Sequence, residues 1–202
     1  ALTDSDTVSI TVGAVDDAPE NTVPVAQSVD EDTALSVAGI SVNDSDDNLA
    51  TTQLSVANGT ITVDLIGGAS ISSGTNSSGT LTLSGTQAQI NAALATVSYQ
   101  GTANFTGSDT LTVLSTDSTA GTALTDSDTV SITVGAVDDA PENTVPGAQS
   151  VDEDTALTFT GANTISVSDA DNNLVTTQLS VDDGTITVNL AGGATISGGV
   201  NG

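Results

Sequence analysis

The sequence predicts an all-β protein built from tandem antiparallel β-sandwiches, each with seven short strands and one short helix. Short runs of Val, Ile and Leu alternate with Thr and Ser, which is the period-two pattern of strands with one buried face. Turn-forming Gly, Asn and Asp separate these runs at intervals of about ten residues, as in a sandwich of short strands. The third observation is a duplication, because residues 1–24, ALTDSDTVSITVGAVDDAPENTVP, return letter for letter at residues 123–146. We therefore expect the same sandwich to occur more than once along the chain.

The strands follow from the alternation of apolar and hydroxyl residues. In TVSITV, Val8, Ile10 and Val12 point to one face, and an acidic linker containing Pro19 ends the strand. Asn58-Gly59 is a strong hairpin signal between two further strands. In the first full repeat we predict strands around residues 23–29, 35–42, 54–56, 61–65, 81–83, 111–113 and 128–134.

One segment has helical rather than extended spacing. In TQAQINAALATV, Ile90 and Leu94 are four residues apart and Val97 follows three residues later, which places them on one side of a helix. Thr86 is a suitable N-cap residue. The segment predicts a short helix that crosses between the two sheets.

The internal repetition also predicts the domain boundaries. Residues 1–17 are read as the last strand and linker of a preceding repeat, 18–138 as a complete repeat, and 139–202 as the first half of the next. The chain is accordingly interpreted as a window cut from a longer array. Seven strands with this pattern favour an immunoglobulin-like, Greek-key arrangement.

The charge balance excludes several classes of function. The chain has 202 residues, 26 of them Asp or Glu, no Lys, Arg or His, and a formal net charge of -26. Nucleic acid is excluded as a partner because nothing neutralises phosphate, and no apolar run approaches the ~20 residues that span a bilayer. An enzyme is not expected, since only a carboxylate pair could carry acid–base chemistry and these acids lie mostly in loops. Composition predicts an extracellular protein.

Metal is the expected stabiliser of this chain. Self-repulsion opposes compaction unless counter-ions are held close, and the absence of Cys excludes disulfides and thiolate sites. Calcium tolerates irregular sets of carboxylates better than magnesium does. Disorder is the alternative for so charged a chain, but a hydrophobic content of 37% with clear periodicity argues against it.

The predicted positions of the acids suggest where calcium binds. In an immunoglobulin-like sandwich the loop after the second strand and the end of the sixth strand lie at one end, where the preceding linker also arrives. That end receives Asp16, Asp17, Asp44, Asp46 and Asp117. Stacking two sandwiches end to end would add a junction set made of Glu31, Asp32, Asp138, Asp139, Asp169 and Asp171. We expect one to three calcium ions there, each with about six to eight oxygen ligands; the alternative is that these acids only form turns.

The order of these motifs resembles that of a known family. Asp-Asp-Ala-Pro-Glu-Asn, then Glu-Asp-Thr, then Asp-x-Asp is similar to the cadherin-like repeats of giant bacterial adhesins secreted by the type I (RTX) route. The resemblance implies interdomain calcium ligands at Glu31, Asp138, Asp139, Asp169 and Asp171, with Asp117 matching a final-strand ligand by position. The Asp-Arg-Glu motif of animal cadherins and the glycine-rich nonapeptide of RTX calcium rolls are both missing.

This resemblance implies two alternative functions. The first is a calcium-rigidified extender that spaces a distal binding domain from a bacterial surface, with neighbouring repeats of the same chain as its partners. The second is a subunit of an extracellular filament or sheath, in which like chains are partners. An adhesive face is a further alternative, but the sequence marks no such patch.

Overall fold

The computed structural model describes residues 1–118, 121–190 and 192–202, and the chain divides into two units. Unit 1 is Ala1–Val137 and unit 2 is Asp138–Gly202. The strands of unit 1 are β1 Glu20–Thr22, β2 Gln27–Asp30, β3 Ala34–Ser36, β4 Ser41–Asn43, β5 Leu49–Ser55, β6 Gly59–Thr62, β7 Ser70–Gly74, β8 Thr80–Ser84, β9 Ser98–Gly101, β10 Gly107–Asp117 and β11 Thr125–Gly135. The helix α1 is Gln87–Leu94.

Unit 1 is a sandwich of several sheets. The large sheet has the order β2-β11-β10-β5-β8-β7, the second sheet β3-β9-β6, and β1 pairs with β4. The pairs are antiparallel except that β11 runs parallel to β2. The predicted all-β, sandwich-like fold is confirmed.

The core lies between the sheets and is built mainly from small aliphatic side chains. Its largest fully buried residues are Tyr99, Leu54, Ile61, Leu81, Leu83, Ile90, Leu94, Leu111, Ile132, Val37, Val42 and Val97. Alternation predicts this well, because Leu111 and Val113 in β10 and Val130, Ile132 and Val134 in β11 are all buried while the residues between them face outward. Phe105 packs against the core and is partly buried.

The predicted helix is also present. Thr86 accepts a hydrogen bond from the Gln89 backbone N–H at 3.3 Å, and Gln89 Oε1 accepts one from the Thr86 backbone N–H at 2.8 Å. This reciprocal pair is a capping box. Ile90 and Leu94 are buried, as the four-residue spacing predicts.

The strand predicted at residues 7–12 does not form; among the described residues, 1–19 contain no regular secondary structure. Val8, Ile10 and Val12 are 86%, 81% and 87% exposed. The same letters form the buried part of β11, where β10 and β2 supply partners on both sides. Residues 7–12 have no such neighbours, so the prediction of a half-buried strand is wrong for this copy.

Unit 2 repeats only part of the pattern. Its strands are β12 Glu142–Thr144 and β13 Ser166–Ser168, with a 3-10 helix at Gly161–Asn163. β12 and β13 pair as β1 and β4 do, with Asn143 opposite Val167 where unit 1 has Asn21 opposite Val42. No helix in the described part of the chain is long and apolar enough to cross a membrane.

Candidate metal centre

The loop between β4 and β5 folds back on the carboxylate of Asp44. Asp44 Oδ1 accepts hydrogen bonds from the backbone N–H groups of Asp46 at 3.0 Å and Asn48 at 3.5 Å. Asp47 completes the turn with φ +56°, in the left-handed region that Asp and Asn tolerate. The loop thus uses one oxygen of Asp44 and leaves the other for another partner.

The acidic linker before β1 docks on this loop. The Asp17 backbone N–H donates to Asp46 Oδ2 at 2.7 Å, and Asn48 Nδ2 donates to Asp16 Oδ1 at 2.7 Å. The structure therefore brings both linker acids of unit 1 to the loop that contains Asp44 and Asp46.

Asp117 reaches the same place from the end of β10. The β10–β5 register sets it opposite Leu49, next to Asn48 in the chain. Its Oδ1 accepts from the Leu124 backbone N–H at 2.8 Å, and Ser118 donates to the Asn48 carbonyl through its backbone N–H at 2.9 Å and its hydroxyl at 2.8 Å. The end of β10 is thus tied directly to the β4–β5 loop.

Three buried oxygens at this end have no hydrogen-bond partner within the described residues: Asp44 Oδ2, Asn48 Oδ1 and Asp117 Oδ2. Asp44 and Asp117 are each only 2% exposed. Buried polar atoms are almost always paired, and a buried carboxylate oxygen without a partner is costly. Asn48 donates its Nδ2 to Asp16 Oδ1, and its own Oδ1 is the amide atom left without a partner among the described residues.

The oxygens left unpaired at this end do not form a purely acidic donor set. Among the described residues, no group of three or more Asp, Glu, His or Cys side chains is arranged to hold a metal ion. The unpaired oxygens come instead from two carboxylates and one amide. Asn48 was not predicted as a ligand, although Asn173 occupies the same place in the second copy and marks the position.

Unit 2 reproduces the loop and linker contacts. The Asp171 backbone N–H donates to Asp169 Oδ1 at 3.0 Å, and the Asp139 backbone N–H donates to Asp171 Oδ2 at 2.6 Å. Asn173 Nδ2 donates to Asp138 Oδ1, as Asn48 does to Asp16. The arrangement is therefore a property of the motif and occurs in both copies.

Glu31 and Asp32 lie at the opposite end of unit 1, where β2 and β11 finish. Glu31 is buried, its backbone N–H donates to the Gly135 carbonyl at 2.8 Å, and its Oε1 accepts from the Val137 backbone N–H at 2.8 Å. Asp32 is exposed and has φ +58° in the turn after β2. The predicted junction that joins these two acids to those of unit 2 stays a prediction.

Comparison with known proteins gives a different family from the one expected. The model of the Protein GAMETE EXPRESSED 2 domain matches residues 36–126, which lie within unit 1 and make up less than half of the chain. No curated protein matches the sequence. No solved structure matches it either.

The predicted kinship with bacterial RTX adhesin repeats is therefore wrong, since the family model that matches belongs to another family. The extender function and its filament alternative depended on that kinship and are overturned with it. The physical reason is that short acidic motifs with Pro, Asn and Asp are also what turns and linkers require. Such motifs therefore indicate local geometry more strongly than ancestry.

Proposed function

We propose that the chain is a non-catalytic, extracellular β-sandwich module that binds a calcium ion at the end of unit 1 that carries Asp44 and Asp117. The observation that carries the proposal is the pair of carboxylate oxygens, Asp44 Oδ2 and Asp117 Oδ2, which are buried and have no hydrogen-bond partner in the described residues. Asn48 Oδ1 supplies a third oxygen in the same condition.

A cation is needed because the chain contains no positive side chain that could neutralise these carboxylates. Lys, Arg and His are absent from all 202 residues. A buried charge without a partner destabilises a fold by several kcal/mol, roughly 3–5 when one member of a buried pair is removed. A bound divalent ion removes that cost.

Calcium fits the donor set better than the other common metals. All three unpaired atoms are hard oxygens, and calcium accepts carboxylate and amide oxygens in irregular geometry. Zinc prefers imidazole and thiolate ligands, and the chain has no His or Cys. Magnesium requires a nearly ideal octahedron of ligands, and oxygens from a loop and a strand end do not readily supply that geometry.

The bound ion would join two parts of the sandwich directly and the linker indirectly. Asp44 and Asn48 belong to the β4–β5 loop and Asp117 ends β10, while Asp16 is linked to the site through Asn48. Calcium would therefore stabilise the closed end of the sandwich and its contact with the linker. Neighbouring repeats of the same chain are the partners that the duplicated linker suggests.

An extracellular location follows from the same chemistry. A site with few charged ligands binds calcium with a Kd of about 10⁻⁴–10⁻³ M, as in extracellular modules. Such affinity suits an environment rich in calcium. The lack of Cys is compatible with this location, since metal replaces the disulfide as the stabilising link.

Catalysis is not part of the proposal. Two surface grooves, of 290 and 350 Å³, each have one carboxylate in their lining, Asp30 in one and Asp169 in the other. Acid–base catalysis by carboxylates needs two of them facing one substrate. The name of the matching domain specifies no reaction or ligand.

The proposal is tested by titrating calcium into the full chain after treatment with chelator. We expect saturable binding by calorimetry and a higher melting temperature in calcium than in an equal concentration of magnesium. A flat isotherm at millimolar calcium, with unchanged melting temperature, would overturn the proposal.

A further inference from the structure

Asn21 is a buried polar residue in β1, at the same end of unit 1 as the candidate metal centre. It is 8% exposed, and its side chain lies between strands that are distant in the sequence. Its Nδ2 donates to the Asp126 carbonyl at 2.9 Å and to the Val113 carbonyl at 3.3 Å. Its backbone N–H donates to Asp126 Oδ2 at 2.7 Å.

The amide oxygen of Asn21 continues this network into β10 and β5. Ser115 Oγ donates to Asn21 Oδ1 at 2.6 Å, and the Ser115 and Thr52 hydroxyls are hydrogen-bonded at 3.0 Å. Ser115 and Thr52 are fully buried. Both polar ends of the Asn21 amide are thus satisfied inside the sandwich, which fixes its orientation.

Asn21 connects the two strands whose ends lead to the proposed calcium ligands, β4 and β10. Asn21 is paired with Val42 in β4, and Asp44 follows Val42 by two residues. Asn21 is also bonded to Ser115 in β10, and Asp117 follows Ser115 by two residues on the same face. Asn21 therefore joins the segment before Asp44 by strand pairing to the segment before Asp117 by its side chain.

We propose that Asn21 is a positioning residue for calcium, which sets the separation between the Asp44 and Asp117 carboxylates without touching the ion. This inference rests on the calcium site of the proposed function. Asn21 lies four residues after Asp17, whose backbone N–H is bonded to Asp46, so docking of the linker strand and formation of the metal centre are coupled. A calcium site of full affinity requires β1 in place.

The chain contains a matched position for comparison. Asn143 is opposite Val167 in unit 2, as Asn21 is opposite Val42, and Asp169 follows Val167 by two residues. Asn143 is exposed, however, and no strand equivalent to β10 lies against it in the described residues. Asn143→Ala therefore makes the same chemical change as Asn21→Ala without breaking the network.

The test compares calcium binding by the full chain and by Asn21→Ala, Asn143→Ala, Ser115→Ala and Thr52→Val. We expect Asn21→Ala to raise the calcium Kd of unit 1 roughly tenfold and Ser115→Ala to raise it by a smaller factor. Asn143→Ala and Thr52→Val should leave that Kd unchanged, since neither removes a contact of Asn21. Melting temperatures in chelator are measured in parallel for every variant.

The outcomes separate this inference from the function on which it rests. If the wild-type chain binds no calcium, the proposed function is wrong, and this inference is wrong as well because it depends on the calcium site. If wild-type chain binds calcium and Asn21→Ala is less stable in chelator but has the wild-type Kd, the role of Asn21 is only structural and this inference alone is overturned. Should Asn21→Ala not fold, Ser115→Ala decides, because a wild-type Kd for that variant contradicts positioning through Asn21.

Discussion

The Tyr99 hydroxyl donates a 3.1 Å hydrogen bond to Asp109 Oδ2 inside the sandwich, joining β9 to β10. The same carboxylate accepts from the backbone N–H groups of Asn58 at 2.9 Å and Ala57 at 3.2 Å. The Tyr99 hydroxyl also lies 3.3 Å from the Asn58 carbonyl oxygen. A buried acid and a buried phenol thus hold the β5–β6 turn at the end of unit 1 opposite the metal centre.

Tyr99 should ionise only at a higher pH than a free tyrosine. Burial, together with the charge of Asp109 and the hydrogen bond to it, raises the pKa of Tyr99 to about 12. An unfolded tyrosine titrates near pH 10, so the unfolded chain loses its proton first and the free energy of unfolding falls between about pH 10 and 12. Tyr99 is the single tyrosine of the chain, so phenolate absorbance reports it alone.

The control for this titration is Tyr99→Phe, whose stability should lack that decrease between about pH 10 and 12. A phenolate midpoint near 10 in the folded wild-type chain would contradict the buried tyrosine–carboxylate pair.

Removing the carboxylate of Asp109 should destabilise unit 1 substantially. Asp109→Ala removes the carboxylate that accepts from the backbone N–H groups of Ala57, Asn58 and Thr110 and from the Tyr99 hydroxyl. Because buried donors lose an acceptor, we expect a loss of about 2–4 kcal/mol in urea unfolding. Asp64→Ala is the control, because exposed Asp64 accepts, among the described residues, a bond from the nearby Ile66 backbone N–H at 2.8 Å and no other. Equal losses for the two variants would show that the Asp109 contacts contribute little.

Substituting the proposed calcium ligands should change the melting temperature in opposite directions without and with calcium. Without calcium, Asp44→Asn or Asp117→Asn removes a buried charge that has an unpaired oxygen, and each should raise the melting temperature in chelator. With calcium, each should lower both the affinity and the melting temperature relative to wild type.

Asp47→Asn is the matched control for these two variants. It also removes one negative charge from the loop, but Asn172 already occupies the equivalent position with the same φ of +56°. Its calcium affinity should stay near that of wild type. A loss of affinity as large as that of Asp44→Asn would mean that net charge, rather than ligand geometry, governs binding.

The capping box of α1 should contribute about 1 kcal/mol to the free energy of unfolding. Thr86→Ala removes the acceptor for the Gln89 backbone N–H, and we expect that loss in the free energy of unfolding. Thr86→Ser keeps a hydroxyl at the cap and should retain most of the stability. Identical unfolding curves for Ala and Ser at this position would rule out the contribution of the cap.

Much of unit 1 is predictable because it depends on residues close in sequence. The alternation in β10 and β11, the helical spacing of Ile90 and Leu94 and the Thr86 cap all act within a few residues. The loop that wraps around Asp44 is local in the same sense, and Asp, Asn and Gly are the residues its turns require. These features were expected at their correct positions.

The partners of the buried polar residues could not be predicted in this way. Asn21 contacts Val113 and Asp126, about a hundred positions along the chain, and nothing in its own neighbourhood indicates burial. The role of Asn48 likewise depends on where β10 places Asp117. The acids were predictable from the sequence, but the amide groups of Asn21 and Asn48 were not.

Residues 7–12 and 129–134 show most directly what the sequence determines and what the tertiary structure determines, since both read TVSITV. The sequence by itself determined that each copy has the pattern of a strand with one apolar face. Tertiary structure decided that only the second copy becomes one, because β10 and β2 pair with its backbone and the core covers Val130, Ile132 and Val134. A strand needs neighbouring strands for its hydrogen bonds and neighbouring elements to cover its apolar face, and no local pattern can supply them.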